Sequence, residues 1–105
     1  MDSVLLEFSM FPTDVGESKS KYVSKLIEYI DSCGVSYKLT PMSTIIETQS
    51  MEDALYIVAQ CAKILELESS RIYSSIKIDY RKNHSNRMEG KIQSVEKRLG
   101  KEVRK

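Results

Sequence analysis

There is no tryptophan in this chain, only one histidine and two cysteines, and the two prolines and four glycines are scattered singly. Each scarcity removes a class of function. The lone His84 has neither a histidine partner nor a nearby cysteine, so no metal site of the His/Cys type can be assembled, and no Ser/His/Asp or Cys/His grouping stands out. Cys33 and Cys61 do not form a CxxC pair, and each falls on the apolar stripe of a predicted helix. They are expected to be small buried hydrophobes, not a redox couple. No apolar run approaches the roughly 20 residues that span a bilayer. The acidic start "MDSVLLEFSMF" has no signal-peptide cleavage pattern, so a cytoplasmic protein is expected. Charge of one sign is also missing: 16 lysines and arginines face 15 acids, for a net charge of +1. That balance gives no electrostatic case for nucleic acid or an acidic membrane, although the last fifteen residues are locally basic.

What is present is an ordinary globular mixture, 41% hydrophobic and 30% charged over 105 residues. That length predicts a single domain over 1–105, and a domain so small often gains by oligomerising. Residues 3–11 alternate, with Val4, Leu6, Phe8 and Met10 on one face and Leu5, Glu7, Ser9 and Phe11 on the other, which predicts a strand. Pro12, Asp14 and Gly16 break it. A helix follows, with Ser18 as N-cap, the stripe Val23, Leu26, Ile27 and Ile30, and Gly34 as its stop. Val35 to Pro41 and Thr44 to Thr48 read as two strands joined at a Pro41–Met42–Ser43 corner. "SMED" at 50–53 has the form of a capping box, opening a helix that buries Leu55, Val58, Cys61, Ala62 and Leu65. Arg71 to Tyr80 alternates again, with Ile72, Ile76 and Ile78 inward. After the polar loop "RKNHSNR", the narrow stripe Met88, Ile92, Val95 and Leu99 marks a last, otherwise charged helix.

The order β-α-β-β-α-β plus a C-terminal helix predicts an α+β, ferredoxin-like sandwich: a four-stranded antiparallel sheet with two helices on one face. The other face would carry Leu5, Glu7, Ser9, Phe11, Lys38, Thr40, Tyr73, Ser75, Lys77 and Asp79. Ile45 and Glu47 would join them if Ile46 enters the core, unless a bulge near the corner reverses the assignment. Such a face is too apolar for plain solvent and too charged for a core. It suits a subunit interface, a ligand pocket or both, against the simpler reading of a solvated sheet. RNA recognition is excluded because the third strand, "STIIETQS", lacks stacking aromatics. "FPTDVGES" after the first strand has neither paired cysteines for a metal nor a Gly-rich, arginine-bearing phosphate cradle.

Several segments together resemble a known family. "EFSMFP…GES…S.YV" at 7–23, "GVSYKLTPMSTIIE" at 34–47, "IKIDYRKN" and "MEGKIQSVEKRL" look like the first strand and helix entry, the hairpin, the fourth strand and the last helix of the small thiamine-binding proteins. These are stand-alone ferredoxin-like domains similar to tandem-domain proteins that bind thiamine or its hydroxymethylpyrimidine moiety. The hairpin motif is the most specific part. Where the family would be expected to carry glycines near position 43 and after Glu47, this chain has Ser43 and Thr48.

The resemblance implies a non-catalytic cytoplasmic protein, assembled as a homodimer or homotetramer, with a small-ligand pocket at or near subunit contacts and thiamine or hydroxymethylpyrimidine as ligand instead of a cofactor. Thiamine joins a thiazolium cation to an aminopyrimidine. A site for it needs an aromatic or sulfur wall, a carboxylate near the cation, and hydroxyl or carbonyl groups for the pyrimidine edge. Glu7, Ser9, Phe11, Thr40, Met42, Thr44, Glu47 and Ser75 could supply these from adjoining strands, with Glu47 the first choice and Glu7 the second for the carboxylate. A different class of reading is an oligomeric structural or regulatory domain that binds another small ligand, such as an anion or an amino acid.

Overall fold

The alternation of the first strand decides the architecture. In the computed structural model, which describes residues 1–16 and 19–104, Val4, Leu6, Phe8 and Met10 are buried, while Leu5, Glu7, Ser9 and Phe11 lie half-buried on the opposite side of the sheet. The elements run β1 (Ser3–Pro12), α1 (Ser20–Ser32), β2 (Ser36–Leu39), β3 (Thr44–Thr48), α2 (Met51–Glu66), β4 (Ile72–Arg81) and α3 (Arg87–Leu99). The four strands form one sheet in the order β2-β3-β1-β4, with every neighbouring pair antiparallel. Of the two inner strands, β3 and β1, the one between β3 and the edge strand β4 is thus the first in the chain.

α1 and α2 cover one face. α2 buries Ala54, Ile57, Val58, Cys61 and Leu65, and α1 buries Tyr22, Leu26 and Ile30. At roughly 1.5–3 kcal/mol for each large side chain buried, this layer is the main source of stability. The stripe of α1 is rotated from the expected one: Tyr22 takes the buried position, and Val23 and Ile27 are only half-buried. Leu55, expected inside, is 45% exposed, because Ala54 is the residue that meets the sheet. Ser50 caps α2 as its sequence predicts, its hydroxyl accepting from the Asp53 N–H at 3.1 Å. The predicted N-cap Ser18 lies outside the described residues. Gly34 ends α1 with a φ of +75°, which favours glycine there.

Two further expectations are corrected, and the open assignment of the third strand is decided. Cys61 is buried but Cys33 is exposed, because α1 ends at Ser32 and leaves Cys33 beyond the packed stripe; both thiols are free. Ile76 and Ile78 do face the helical side, yet they are 42% and 39% exposed, because β4 is an edge strand that the helices cover poorly. The third strand has no bulge. Ile46 is fully buried, with Thr44 and Thr48 beside it, and Ile45 and Glu47 point to the open face.

Among the described residues, α3 has no buried residue, although Met88, Ile92, Val95 and Leu99 recur at helical spacing. No helix is long and apolar enough to cross a membrane.

Candidate functional site

The corner between β2 and β3 is built by Thr40. Its N–H donates to the Ser43 carbonyl at 2.8 Å and its hydroxyl donates to the same oxygen at 3.0 Å, while the hydroxyl accepts from the N–H groups of Ser43 (3.1 Å) and Met42 (3.3 Å). Two-residue hairpin loops favour turns with positive φ. Pro41 fixes its own φ negative, and Met42 is not among the residues with positive φ. The threonine side chain therefore closes a turn that backbone geometry alone closes poorly. This leaves Met42 85% exposed at the tip.

Ser43 ties this corner to the central strand: its hydroxyl donates to Glu7 Oε2 at 2.8 Å. Two cavities meet here. The larger, about 580 Å³, lies on the helical side between α1 and the corner, with an apolar floor that includes Phe8, Met10 and Leu26. The smaller, about 310 Å³, opens on the other sheet face around Glu7, Ser75 and Lys77. Ser9, Met42 and Ser43 line both, so the two form one cleft that bends around the hairpin tip.

Of the eight residues predicted for a ligand site, seven line this cleft. Phe11, Thr40 and Thr44 stand in the larger lobe, Glu7 and Ser75 in the smaller, and Ser9 and Met42 in both. Phe11 and Tyr73, opposite each other on β1 and β4, make an edge-to-face pair with centroids 5.6 Å apart. The Lys19 ammonium sits 5.1 Å from the Phe11 centroid and donates to the Pro12 carbonyl at 2.7 Å.

Glu47 is elsewhere. Its carboxylate accepts from the Ser3 hydroxyl (2.6 Å) and from the backbone N–H groups of Arg87 and Met88 (both 3.0 Å). Those are the first amides of α3, whose own N-cap residue, Asn86, makes no side-chain cap. A strand residue thus caps a helix forty positions away, opposite its positive dipole end. Burial would raise the Glu47 carboxyl, but the Ser3 hydroxyl, the two N–H groups and the Arg87 charge outweigh it and hold the carboxyl below its ordinary value. Arg87 completes the clamp, donating to the carbonyls of Ser3 and Asp79 and pairing with the Asp79 carboxylate at 3.2 Å.

A larger cavity of about 680 Å³ adjoins this clamp, near Tyr29, Cys33 and Tyr56, and takes Glu47 alone of the predicted residues. Much of its polar lining is already engaged. Glu47 is held as described, and Asp2 accepts from the Tyr80 hydroxyl and the Asn83 N–H, which lower its carboxyl. The hairpin cleft offers the better match of apolar wall and polar groups.

The sequence reading missed Lys19, Ser43 and Lys77 as cleft residues. Lys77 had a signal, since the alternation of its strand already puts it on the same sheet face as Glu7, which it meets in the register. Lys19 and Ser43 had none, because their positions depend on how the chain leaves β1 and turns the corner. His84, expected in solvent, is exposed in the loop before α3, its Nδ1 2.8 Å from the Lys82 carbonyl oxygen.

Comparison with known proteins adds a family to this geometry. A family model described as "Thiamine-binding protein" matches residues 6–96. A UPF0045 protein of Staphylococcus xylosus is 38% identical over 90 residues, covering 80% of this chain and 82% of the relative. A UPF0045 protein of Methanocaldococcus jannaschii is 30% identical over 95 residues, 90% of this chain and 94% of its own. A crystal structure from the same archaeon superposes with a TM-score of 0.78 at 30% identity, over 89% of this chain and 95% of that one. A Thermotoga maritima structure, provisionally described as a thiamine biosynthesis or salvage protein, has a TM-score of 0.76 at 24% identity over 89% and 98%. At that identity it supports the fold alone.

Proposed function

Because the chain belongs to the thiamine-binding protein family, we propose that its hairpin cleft binds thiamine or a related pyrimidine without catalysing a reaction, as a carrier, store or sensor in the cytoplasm. The carrying observation is the meeting of an apolar lobe and a charged lobe, which holds Glu7 beside Lys77, at one exposed wall, Met42, with Ser9 and Ser43 shared between them. A planar aminopyrimidine suits the larger lobe, where Phe11 and Met42 offer an aromatic and a sulfur wall and Thr40 and Ser9 offer hydroxyls. The thiazolium suits the smaller lobe, beside Glu7. In this reading Glu7 takes the charge role and Glu47, which caps α3, takes none. We read the β2-β3-β1-β4 sheet under two helices as the ferredoxin-like arrangement.

The same reading makes the protein a homodimer or homotetramer. The radius of gyration is 15.2 Å, against about 13 Å for a compact chain of this length. The apolar stripe of α3 and the half-apolar sheet face are surfaces that a second copy would cover. A second reading, an anion or amino-acid ligand, draws support from Lys19 and Lys77 in the two lobes. Calorimetric titration with thiamine, its phosphates, hydroxymethylpyrimidine, and a panel of amino acids and inorganic anions separates the two. Binding of thiamine and the free pyrimidine supports the first. Binding of the anions alone, with no heat from thiamine, overturns it.

A further inference from the structure

Three donors on the open sheet face have no acceptor within the protein. Lys77, Ser9 and Ser75 all line the smaller lobe of the cleft, and none of these side chains has a hydrogen-bond or ion-pair partner among the described residues. The ladder between β1 and β4 sets them in a square with Glu7. Glu7 stands opposite Lys77, and Ser9 opposite Ser75. Side chains directly opposite have Cβ atoms about 4.5–5.5 Å apart, and those two positions along a strand lie about 7 Å apart.

An acid and a base facing each other across two strands would ordinarily pair. Glu7 and Lys77 form no ion pair. Instead the Ser43 hydroxyl, at the corner that leads into β3, donates to Glu7 Oε2 at 2.8 Å and holds the carboxylate on the side away from β4. The lobe of about 310 Å³ therefore has a negative side and a positive side kept apart. A simple anion would be repelled by Glu7 and a simple cation by Lys77. A ligand that carries both charges satisfies both walls.

The larger lobe fixes which way round such a ligand lies. The Lys19 ammonium, 5.1 Å from the Phe11 centroid, disfavours a second cation there. The pyrimidine of thiamine therefore belongs beside Phe11 and its thiazolium at the corner beside Glu7. The hydroxyethyl arm leaves the thiazolium on the side away from the pyrimidine, so it runs over the smaller lobe toward Ser75 and Lys77.

We propose that the ligand of this cleft is the phosphate monoester of thiamine, its phosphate taken by Lys77 with Ser9 and Ser75 while Glu7 faces the thiazolium. Three donors without partners meet the terminal oxygens of one phosphoryl group, and the acid beside them is matched by the ligand's own cation. The inference rests on the thiamine reading and adds the form of the ligand that the site selects. Lys77 is exposed, so solvent screening holds the gain over free thiamine to about five- to tenfold.

Calorimetric titration of the full chain with thiamine, thiamine monophosphate, inorganic phosphate and glycine is the test. Wild type is expected to bind the monophosphate about five- to tenfold more tightly than thiamine, and inorganic phosphate and glycine far more weakly than either. Lys77→Met is expected to abolish the advantage of the monophosphate without weakening thiamine. Lys77→Arg, which keeps the charge, is expected to retain most of that advantage. Glu7→Gln is expected to weaken thiamine more than the monophosphate. Thiamine binding with no preference for the monophosphate, or a preference that survives Lys77→Met, overturns this proposal and leaves the thiamine reading standing. Inorganic phosphate or glycine binding as tightly as the monophosphate also overturns it. No binding of thiamine or its monophosphate by wild type overturns both.

Discussion

Glu7 and Glu47 face the same side of the same sheet on adjacent strands, and the fold uses them in opposite ways. Glu47 is enclosed by donors that belong to the backbone and to Ser3, and its carboxylate holds a helix onto the sheet. Glu7 has the Ser43 hydroxyl and a cavity. An acid whose donors are main-chain amides is fixed by the fold. One that shares a cleft with hydroxyls and a thioether can still exchange partners with a ligand. Chemical type and face do not separate the two; what arrives from the rest of the chain does.

The comparison breaks most visibly at Glu7. Glu7→Gln keeps the shape and removes the charge, so thiamine affinity should fall by roughly one to two decades, as a charge-assisted contact of about 1.5–3 kcal/mol implies. Calorimetry on both variants makes the contrast explicit: Glu47→Gln should bind thiamine within about twofold of wild type. Equal losses at the two positions would mean that the acids are not divided in this way.

Glu47→Gln should instead loosen α3. The amide keeps one acceptor but loses charge assistance to three donors, a cost of about 1–3 kcal/mol to α3 docking. Amide hydrogen exchange should show it as faster exchange in α3 with little change in β1 and β3. Acid should reproduce the effect. The Glu47 carboxyl is held below its ordinary value of 4.5, so its stabilisation is complete above that pH and is lost as pH falls through the depressed folded value. The methyl resonance of Met88, next to the capped amides, should titrate in that acid range in wild type and stay flat in Glu47→Gln.

Smaller effects sharpen the hairpin side. Thr40→Val leaves Ser43 and Met42 N–H groups without their acceptor and should weaken thiamine binding by about 0.5–1.5 kcal/mol, with the loss accompanied by faster exchange at the corner. His84→Ala should change neither stability nor affinity by more than about 0.5 kcal/mol, because an exposed loop histidine has no buried partner to lose. A large loss of binding in a thermal-shift titration of that variant would place the loop before α3 over the site.

These contrasts also show what the sequence could express. The alternation in β1, the Ser50 cap and the identity of the hairpin strands are written in neighbours one to four residues apart, and all appear in the structure. Helical periodicity gives the angle of a stripe only to within about a residue, so it puts Cys33 and Leu55 inside, whereas Tyr22 and Ala54 show where the packed line runs. The role of Glu47 left no local trace. Its partners are 40 and 41 positions away, and α3 begins without a cap of its own because the cap sits on another strand. Likewise, nothing within β4 states that it lies at an edge, so the exposure of Ile76 and Ile78 follows only from the sheet order.

That sheet order has a consequence for how the chain comes together. β1 sits between β3 and β4, and its first rung to β4 joins residues 3 and 81, so this inner strand is synthesised well before the last neighbour it pairs with. Closing so long a loop adds little to the free-energy cost, which grows only logarithmically, but it delays the contact. Until β4 emerges, β1 presents an unpaired rim to the cell, with Leu5 and Phe11 on one side of it and Phe8 on the other. The time taken to make and expose residues 13–81 therefore sets how long that rim is open to misassociation.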